Sequence, residues 1–302
     1  MNILENLLLV TKYLEKSTVN NFKKKFPYFF MIGNLQESDY KTLLYNYLIS
    51  NHSAGNKNSQ AVFINNDKNF SLMINEEDHF RIQYFLPGLQ FKKIWSSINK
   101  FDDYLMSLVH FAYDKEFGFV TSSLANTGTG MRCSAMVHLI GLSLTGKMKC
   151  VKKAAKELSM TIRGICGEGS KNYGYIFQIS NKGSVGETEK QIIERCEKFI
   201  KILNDYEINA RNQLLVEENA LITDKIARAY GILKNCYTIK EGESFELLSL
   251  LRLGCSYGMI EKLKIHDIDC FLRQIQTFSG ADNEQAIDIV RAEHIINLLN
   301  TQ

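Results

Sequence analysis

AVFINNDKNFSLMINEEDHFRIQYFL, residues 61–86, decides the fold class. AVFINN (61–66) and FSLMINEED (70–78) are rich in β-branched and aromatic residues, and the NDKN between them is hairpin chemistry. HFRIQYFL (79–86) keeps strand propensity until Pro87-Gly88 breaks it. Consecutive strands joined by short turns predict an antiparallel sheet.

Upstream, residues 1–50 read as amphipathic helix and turns punctuated by Lys23, Lys24, Lys25 and Pro27, and NHSAGNKNSQ (51–60) reads as a polar loop. Downstream, FDDYLMSLVHFAYD (101–114) has helical apolar spacing, and GFVTSS (118–123) is a short strand entering a Gly/Thr/Asn loop. KCVKKAAKEL (149–158) is helical, MTIRGI (160–165) and YGYIFQIS (173–180) are strands, and one long helix runs from Glu187 to about Arg211. Residues 215–302 then show helical periodicity almost throughout. The expectation is an α+β unit over 1–212, an antiparallel β-sheet flanked by helices, followed by an all-helical C-terminal domain over 213–302.

Composition bounds the function. At about 150 residues per domain, 302 residues make one large domain or two modest ones. With 45% hydrophobic and 23% charged residues and only two prolines, disordered, collagen-like and Pro-rich linker readings are excluded. Lys+Arg 36 against Asp+Glu 33 leaves a net charge of +3, too little to imply nucleic-acid binding. NFKKKFPYFF (21–30) interleaves lysines and aromatics, yet one such patch reads as a solvated segment. No run of about 18 uncharged apolar residues predicts a membrane span. The N-terminus lacks a basic region before its LLLV patch, so no secretory signal is expected. Seven scattered cysteines without a CxxC pair fit reduced thiols in a cytoplasm rather than a disulfide framework or a zinc site.

Three segments carry potential chemistry. In Asn75-Glu76-Glu77-Asp78-His79-Phe80-Arg81, strand alternation puts Glu77, His79 and Arg81 on one face. That is either a solvated strand end or a carboxylate beside an anion-binding arginine. In Thr121-Ser122-Ser123-Leu124-Ala125-Asn126-Thr127-Gly128-Thr129-Gly130-Met131-Arg132, small residues let backbone approach a ligand and Arg132 can reach a phosphate; a flexible turn is the bland alternative. Arg163-Gly164-Ile165-Cys166-Gly167-Glu168-Gly169-Ser170 lacks the Lys-Ser/Thr ending of a P-loop. It leaves an arginine at a strand end and a Gly-hinged loop carrying one carboxylate, fit to fold over a substrate.

In order and together, NEEDHFR, NTGTGMR and RGICGEGS followed by IFQISN resemble the guanidino kinases, and within them the protein-arginine kinase branch. The resemblance is dense over roughly residues 60–212 and continues through LLSLLRLGCSYGMI (247–260) and IDIVRAEH (287–294). It implies the guanidino-kinase catalytic fold and transfer of the ATP γ-phosphoryl group, with Mg2+ carried by the nucleotide rather than by protein side chains. Glu77 matches the family's catalytic glutamate with Glu76 beside it, and Glu168 matches the loop glutamate on the other side of the guanidinium. Arg81, Arg132 and Arg163 match phosphate-binding arginines. His138 and Asn126 fall near the nucleotide, although a satisfied structural histidine reads equally well at 138. Ser123 stands where the family usually has a cysteine near the guanidinium. Asp288 and Arg291 match part of an RDxxRA-type phosphoarginine-binding motif whose first arginine is isoleucine here; an ordinary i,i+3 ion pair is the alternative. The resemblance further implies protein substrates with exposed arginines, a zinc-containing activator, a Clp-type unfoldase-protease and a homodimer. The small-molecule members carry an extra N-terminal helical domain, for which this chain shows no room before its first strands.

One departure matters. Active members have an early SSRIRLARN segment supplying two more phosphate-binding arginines, and this chain has no arginine before Arg81. Val10–Lys16 offers lysines at best, and a lysine lacks the bidentate fork. A catalytically weakened adaptor that binds phosphoarginine or partner proteins is therefore the alternative to an active kinase.

Overall fold

The computed structural model describes residues 22, 24–50, 57–164, 173–275 and 283–300. The early lysine segment, Cys166 and Glu168 lie outside the described residues. The chain forms two compact units, residues 1–133 with 183–194, and residues 134–182 with 195–302.

The first unit is built on a four-stranded antiparallel meander of β1 (Tyr28–Met31), β2 (Ala61–Ile64), β3 (Phe70–Ile74) and β4 (Phe80–Tyr84), in that spatial order. Every residue of β2 and β3 is buried, so both faces of the sheet are covered. Alternation sorts the two faces. Ala61 and Phe63 point into a cluster with Phe22, Phe26, Phe70 and Phe101, while Val62 and Ile64 join Ile32, Leu48, Ile49 and Met73. The aromatic side packs edge to face, with Phe26 and Phe101 rings 5.5 Å apart at 90°. Helix α1 (Glu37–Tyr45) follows β1, and α2 (Phe91–Met106) contributes Phe91, Phe101 and Leu105 to the interior.

Three sequence expectations need correction here. Tyr28–Met31 is a strand rather than helix or turn, because it pairs residue for residue with β2. The helix expected over 101–114 is α2: Phe91, Ile94, Trp95 and Ile98 already follow the i, i+3, i+4, i+7 spacing. Beyond it, Tyr113–Asp114 is strand β5, paired with β6 (Gly118–Phe119) in a two-stranded hairpin.

The second unit holds a three-stranded antiparallel sheet, β7 (Ser134–His138), β8 (Met160–Gly164) and β9 (Ile176–Asn181), in the order β7-β9-β8. Helices α3 (Ile140–Leu144) and α4 (Met148–Glu157) connect β7 to β8. Helix α5 (Glu189–Glu217) starts in the first unit and continues in the second. Its start is a reciprocal capping box: Thr188 N–H donates to Gln191 Oε1 (2.8 Å) and Gln191 N–H to Thr188 Oγ1 (3.3 Å). Helices α6 (Asn219–Asn235), α7 (Glu241–Ser256), α8 (Ile265–Gln274) and α9 (Glu284–Asn300) follow around a core of Phe245, Leu248, Leu251, Ile268 and Ile295. Ile140 of α3 shares a buried cluster with Ile222, Ile226 and Leu253, so the helices after residue 212 and the three-stranded sheet belong to one compact unit. No helix among the described residues is long and apolar enough to cross a membrane.

Phe101 sits where β2, β3 and α2 meet and is 2% exposed. Phe101→Ala is expected to cost about 3–5 kcal/mol of stability, read as a lowered urea midpoint at unchanged m-value.

Candidate functional site

The register of β3 against β4 places Ile74 opposite Phe80 and leaves residues 75–79 as a turn. Asn75 takes φ +55°, a left-handed conformation that asparagine tolerates, and its N–H donates to the His79 carbonyl at 2.9 Å. The strand therefore ends before the acidic run, and strand alternation does not govern it. The expected common face of Glu77, His79 and Arg81 does not form.

The turn sorts its two glutamates instead. The Glu76 side chain is only 3% exposed. Its carboxylate accepts from the Ser50 hydroxyl, from the Glu77 N–H (2.7 Å) and from Arg81 Nη1 (3.3 Å). Arg81 also donates Nη2 to Gln83 Oε1 at 3.3 Å, which lays the guanidinium along β4 with 36% of the side chain exposed. Glu77 is exposed, and Asn126 Nδ2 approaches its Oε2 at 3.4 Å.

Asp78 ties this turn to the Gly/Thr/Asn loop. Its Oδ1 accepts the Ser122 N–H at 2.7 Å and its Oδ2 accepts Asn126 Nδ2 at 3.2 Å. The Ser123 carbonyl accepts the Thr121 hydroxyl (2.7 Å) and the Asn126 N–H (2.9 Å), which folds the loop back on itself. The loop base is fixed by Ser184 Oγ donating to the Thr127 carbonyl at 3.0 Å. Gly128 is required there: at φ +111° an added Cβ would lie 2.6 Å from the Ser184 carbonyl oxygen. Glu76, Glu77, Arg81, Ser123 and Asn126 thus stand on two mutually braced segments of the first unit, and Arg132 lies exposed at the end of the second of them. Sequence reading gave Asp78 and Ser50 no role. Asp78 was at least visible as part of the acidic run; Ser50 carried no signal.

In the second unit, Arg163 is the penultimate residue of β8, opposite Gln178. His138 ends β7 inside a polar network. Arg211 Nη2 (3.2 Å) and Arg252 Nη1 (3.3 Å) both reach its Nδ1. Guanidinium only donates, so Nδ1 is the acceptor and Nε2 carries the proton, donating to Ser249 Oγ. The Ser249 hydroxyl in turn donates to the Gly174 carbonyl at 2.5 Å. Each arginine has its own carboxylate: Arg211 Nε meets Glu207 Oε1 and Arg252 Nε meets Asp269 Oδ1, both at 2.6 Å. Glu207 also accepts the Gly141 and Leu142 N–H groups, capping α3 from α5. An added Cβ on Gly141 would fall 2.9 Å from the Arg211 backbone nitrogen, so glycine permits this approach. Burial, then the charges of Arg252 and Arg211, hold the His138 imidazole well below its ordinary value of 6.5.

Asp288 and Arg291 meet on α9. Arg291 is 5% exposed and donates Nη1 to Asp288 Oδ1 (2.5 Å) and to the Ile239 carbonyl (2.7 Å). This is an i,i+3 pair that also ties α9 to Ile239, two residues before α7. No group of three or more His, Cys, Asp or Glu placed to hold a metal ion occurs among the described residues.

The His138 network sets a pH dependence. The imidazole is neutral in the folded chain and protonates near pH 6.5 when unfolded, so the unfolded state binds the extra proton in acid. Its contribution to stability is complete above pH 6.5 and is lost as the pH falls toward the lowered value. Below pH 6.5 stability should fall with falling pH, with a slope of at most about 1.4 kcal/mol per pH unit. Urea denaturation across that range should show His138→Gln with a flatter profile than the wild type.

Residues 9–210 match the family model for the ATP:guanido phosphotransferase C-terminal catalytic domain, and residues 219–302 match that for the protein-arginine kinase McsB C-terminal domain. The protein-arginine kinase of Halothermothrix orenii is 35% identical over 297 residues, covering 96% of this chain and 85% of that protein. That of Caldanaerobacter subterraneus subsp. tengcongensis is 35% identical over 268 residues, covering 87% and 79%. Among solved structures, the duplicated taurocyamine kinase of Schistosoma mansoni with bound transition-state analogue components aligns with TM-score 0.55 at 21% identity, over 79% of this chain and 34% of that one. A lombricine kinase aligns with TM-score 0.52 at 22% identity, over 60% and 53%. The two structures share the fold, antiparallel sheets with flanking helices, and the sequence matches go further: this chain belongs to the ATP:guanido phosphotransferase family.

Proposed function

We propose that the chain is a protein-arginine kinase, transferring the γ-phosphoryl group of Mg2+-bound ATP to arginine side chains of proteins. The observation that carries this reading is the division of labour in the acidic turn. Glu76 faces inward and pins Arg81, while Glu77 faces outward with Asn126 at its side. A guanidinium acceptor is protonated at any ordinary pH, so it needs a carboxylate to orient it and remove a proton as the N–P bond forms. Glu77 takes that role, with Glu168 as the second clamp. Ser123, in the loop braced by Asp78, lies beside the acceptor, and Asn126 orients Glu77.

Phosphoryl transfer depends chiefly on positioning and charge neutralisation. The phosphate-binding roles of Arg81, Arg132 and Arg163 rest on their motif match. Two of the five N–H donors of Arg81 are engaged by Glu76 and Gln83, which fixes the plane of the fork. As the guanidinium nitrogen attacks, the bond between the γ-phosphorus and its bridging oxygen breaks, ADP departs with Mg2+, and the acceptor proton passes to the Glu77 carboxylate. His138 stabilises the nucleotide side indirectly, by holding β7 against α5 and α7.

We read the chain as two modules, 1–212 and 213–302, supported by family matches that end at 210 and begin at 219. The phosphoarginine-binding role of Asp288 and Arg291 rests on their motif match. Family kinship likewise supports a cytoplasmic setting, a homodimer, a zinc-containing activator and a Clp-type protease partner. A second reading, a weakened kinase serving as an adaptor, is favoured by the absence of arginine before Arg81.

Incubation with MgATP and an arginine-rich acceptor protein tests both readings. Acid-labile phosphoarginine detected by mass spectrometry is expected, with Glu77→Gln lowering the rate by about 10²–10⁴-fold. A folded chain that binds nucleotide without transfer, and gains transfer with Lys12→Arg and Leu14→Arg, would establish the adaptor instead.

A further inference from the structure

We infer that Gln60 and Ser50, with one ordered water, form a positioning site for Glu76 and through it for Arg81. Gln60 immediately precedes β2 and is 3% exposed. Its backbone is held on both sides: its N–H donates to the Lys57 carbonyl at 3.3 Å, and its carbonyl accepts the Ile32 N–H at 2.9 Å. Its side-chain Nε2 is buried and has no hydrogen-bond partner among the described residues. That nitrogen belongs to a residue lining a small cavity, shared with Ser50 and Glu76 and otherwise walled by Ile32, Tyr40, Ile49 and Met73.

The cavity volume of ≈ 10 Å³ is about the least that admits a single water. Buried amides are almost always hydrogen-bonded, and in this mostly apolar cavity the Gln60 amide, the Ser50 hydroxyl and the Glu76 carboxylate are the polar groups that give a single water its partners. A water here accepts from Gln60 Nε2 and donates to the Glu76 carboxylate. Glu76 then has partners on every side: the Ser50 hydroxyl, the bridged amide, the Glu77 N–H and Arg81. A carboxylate so enclosed has one orientation, and the plane of the Arg81 fork follows from it. Gln60 is thus a positioning residue that touches neither nucleotide nor acceptor.

The effect on nucleotide rests on the kinase reading; the effect on the turn does not, and two readouts separate them. Gln60→Met keeps the length and removes the amide. It is expected to speed hydrogen exchange at the Glu77 amide and to weaken MgATP binding about tenfold or more, as small misplacements of a fixed donor do. The binding loss should vanish in an Arg81→Gln background, since a purely structural defect would persist there. Ser50→Ala should behave alike and Ser50→Thr should restore. Unchanged Glu77 exchange, or an equal loss of affinity in both backgrounds, overturns the inference. If Gln60→Met does not fold, Ser50→Ala decides by the same measurements. A wild type that binds no MgATP sinks the kinase reading, while Glu77 exchange still decides the positioning claim.

Discussion

A carboxylate removed from water governs this structure's candidate site. Glu76 is buried between β3 and β4, and its partners arrive from three places: Ser50 upstream, the turn's own backbone and Arg81 on β4. Hydrogen bonds to a charged group are worth about 1.5–3 kcal/mol each, and leaving such a group unpaired costs more than any of them contributes. The turn is therefore not a soft connection. Its geometry is dictated by the need to satisfy one inward carboxylate, and the outward direction of Glu77 follows. Two adjacent, chemically identical side chains acquire different tasks because only one finds donors inside.

The same economy recurs in the second unit, with the charges reversed. Two guanidiniums converge on one ring nitrogen, which is tolerable only because the imidazole is neutral and each arginine keeps a carboxylate of its own. The network joins β7 to α5, α7 and α8. It explains why helices that look like an appendage in the sequence fold into one compact unit with a sheet.

Much of this was legible beforehand. The apolar runs of β2 and β3, the turn residues between them and the helical spacing from Glu187 onward are local signals, and they locate their elements; the Thr188–Gln191 capping box that starts α5 was not read. The N-terminal limit of α2 was not legible, because Gln90 offers no side-chain cap and Pro87-Gly88 dominates the reading. β1 was hidden because four residues after a lysine cluster show no period, and only pairing with β2 makes them a strand. Within the site, the motif residues were visible as a set. The resemblance singled out Glu77 over Glu76, but the reason their side chains differ was not legible, since the inward one is held by Ser50, 26 positions away. His138 had two readings of equal standing, and the donors that separate them come from residues 73 and 114 positions downstream.

The thinning of arginines before position 81 sharpens the importance of this arrangement. A triphosphate brings several negative charges, and a single transition-state arginine contributes about 10³–10⁵ in rate in other phosphoryl transferases. With fewer forks to share that load, each remaining one must be held more rigidly, because misplacement is costlier than absence of a redundant contact. Arg81 meets that demand through two fixed donors on β4 and a buried partner that cannot rotate away. Under the proposed kinase function, the directional part of phosphate recognition in the first unit would fall to Arg81 and Arg132, because a lysine lacks the bidentate fork. What the Glu76 enclosure secures directly is the plane of the Arg81 fork, through a carboxylate whose other partners leave it no second orientation.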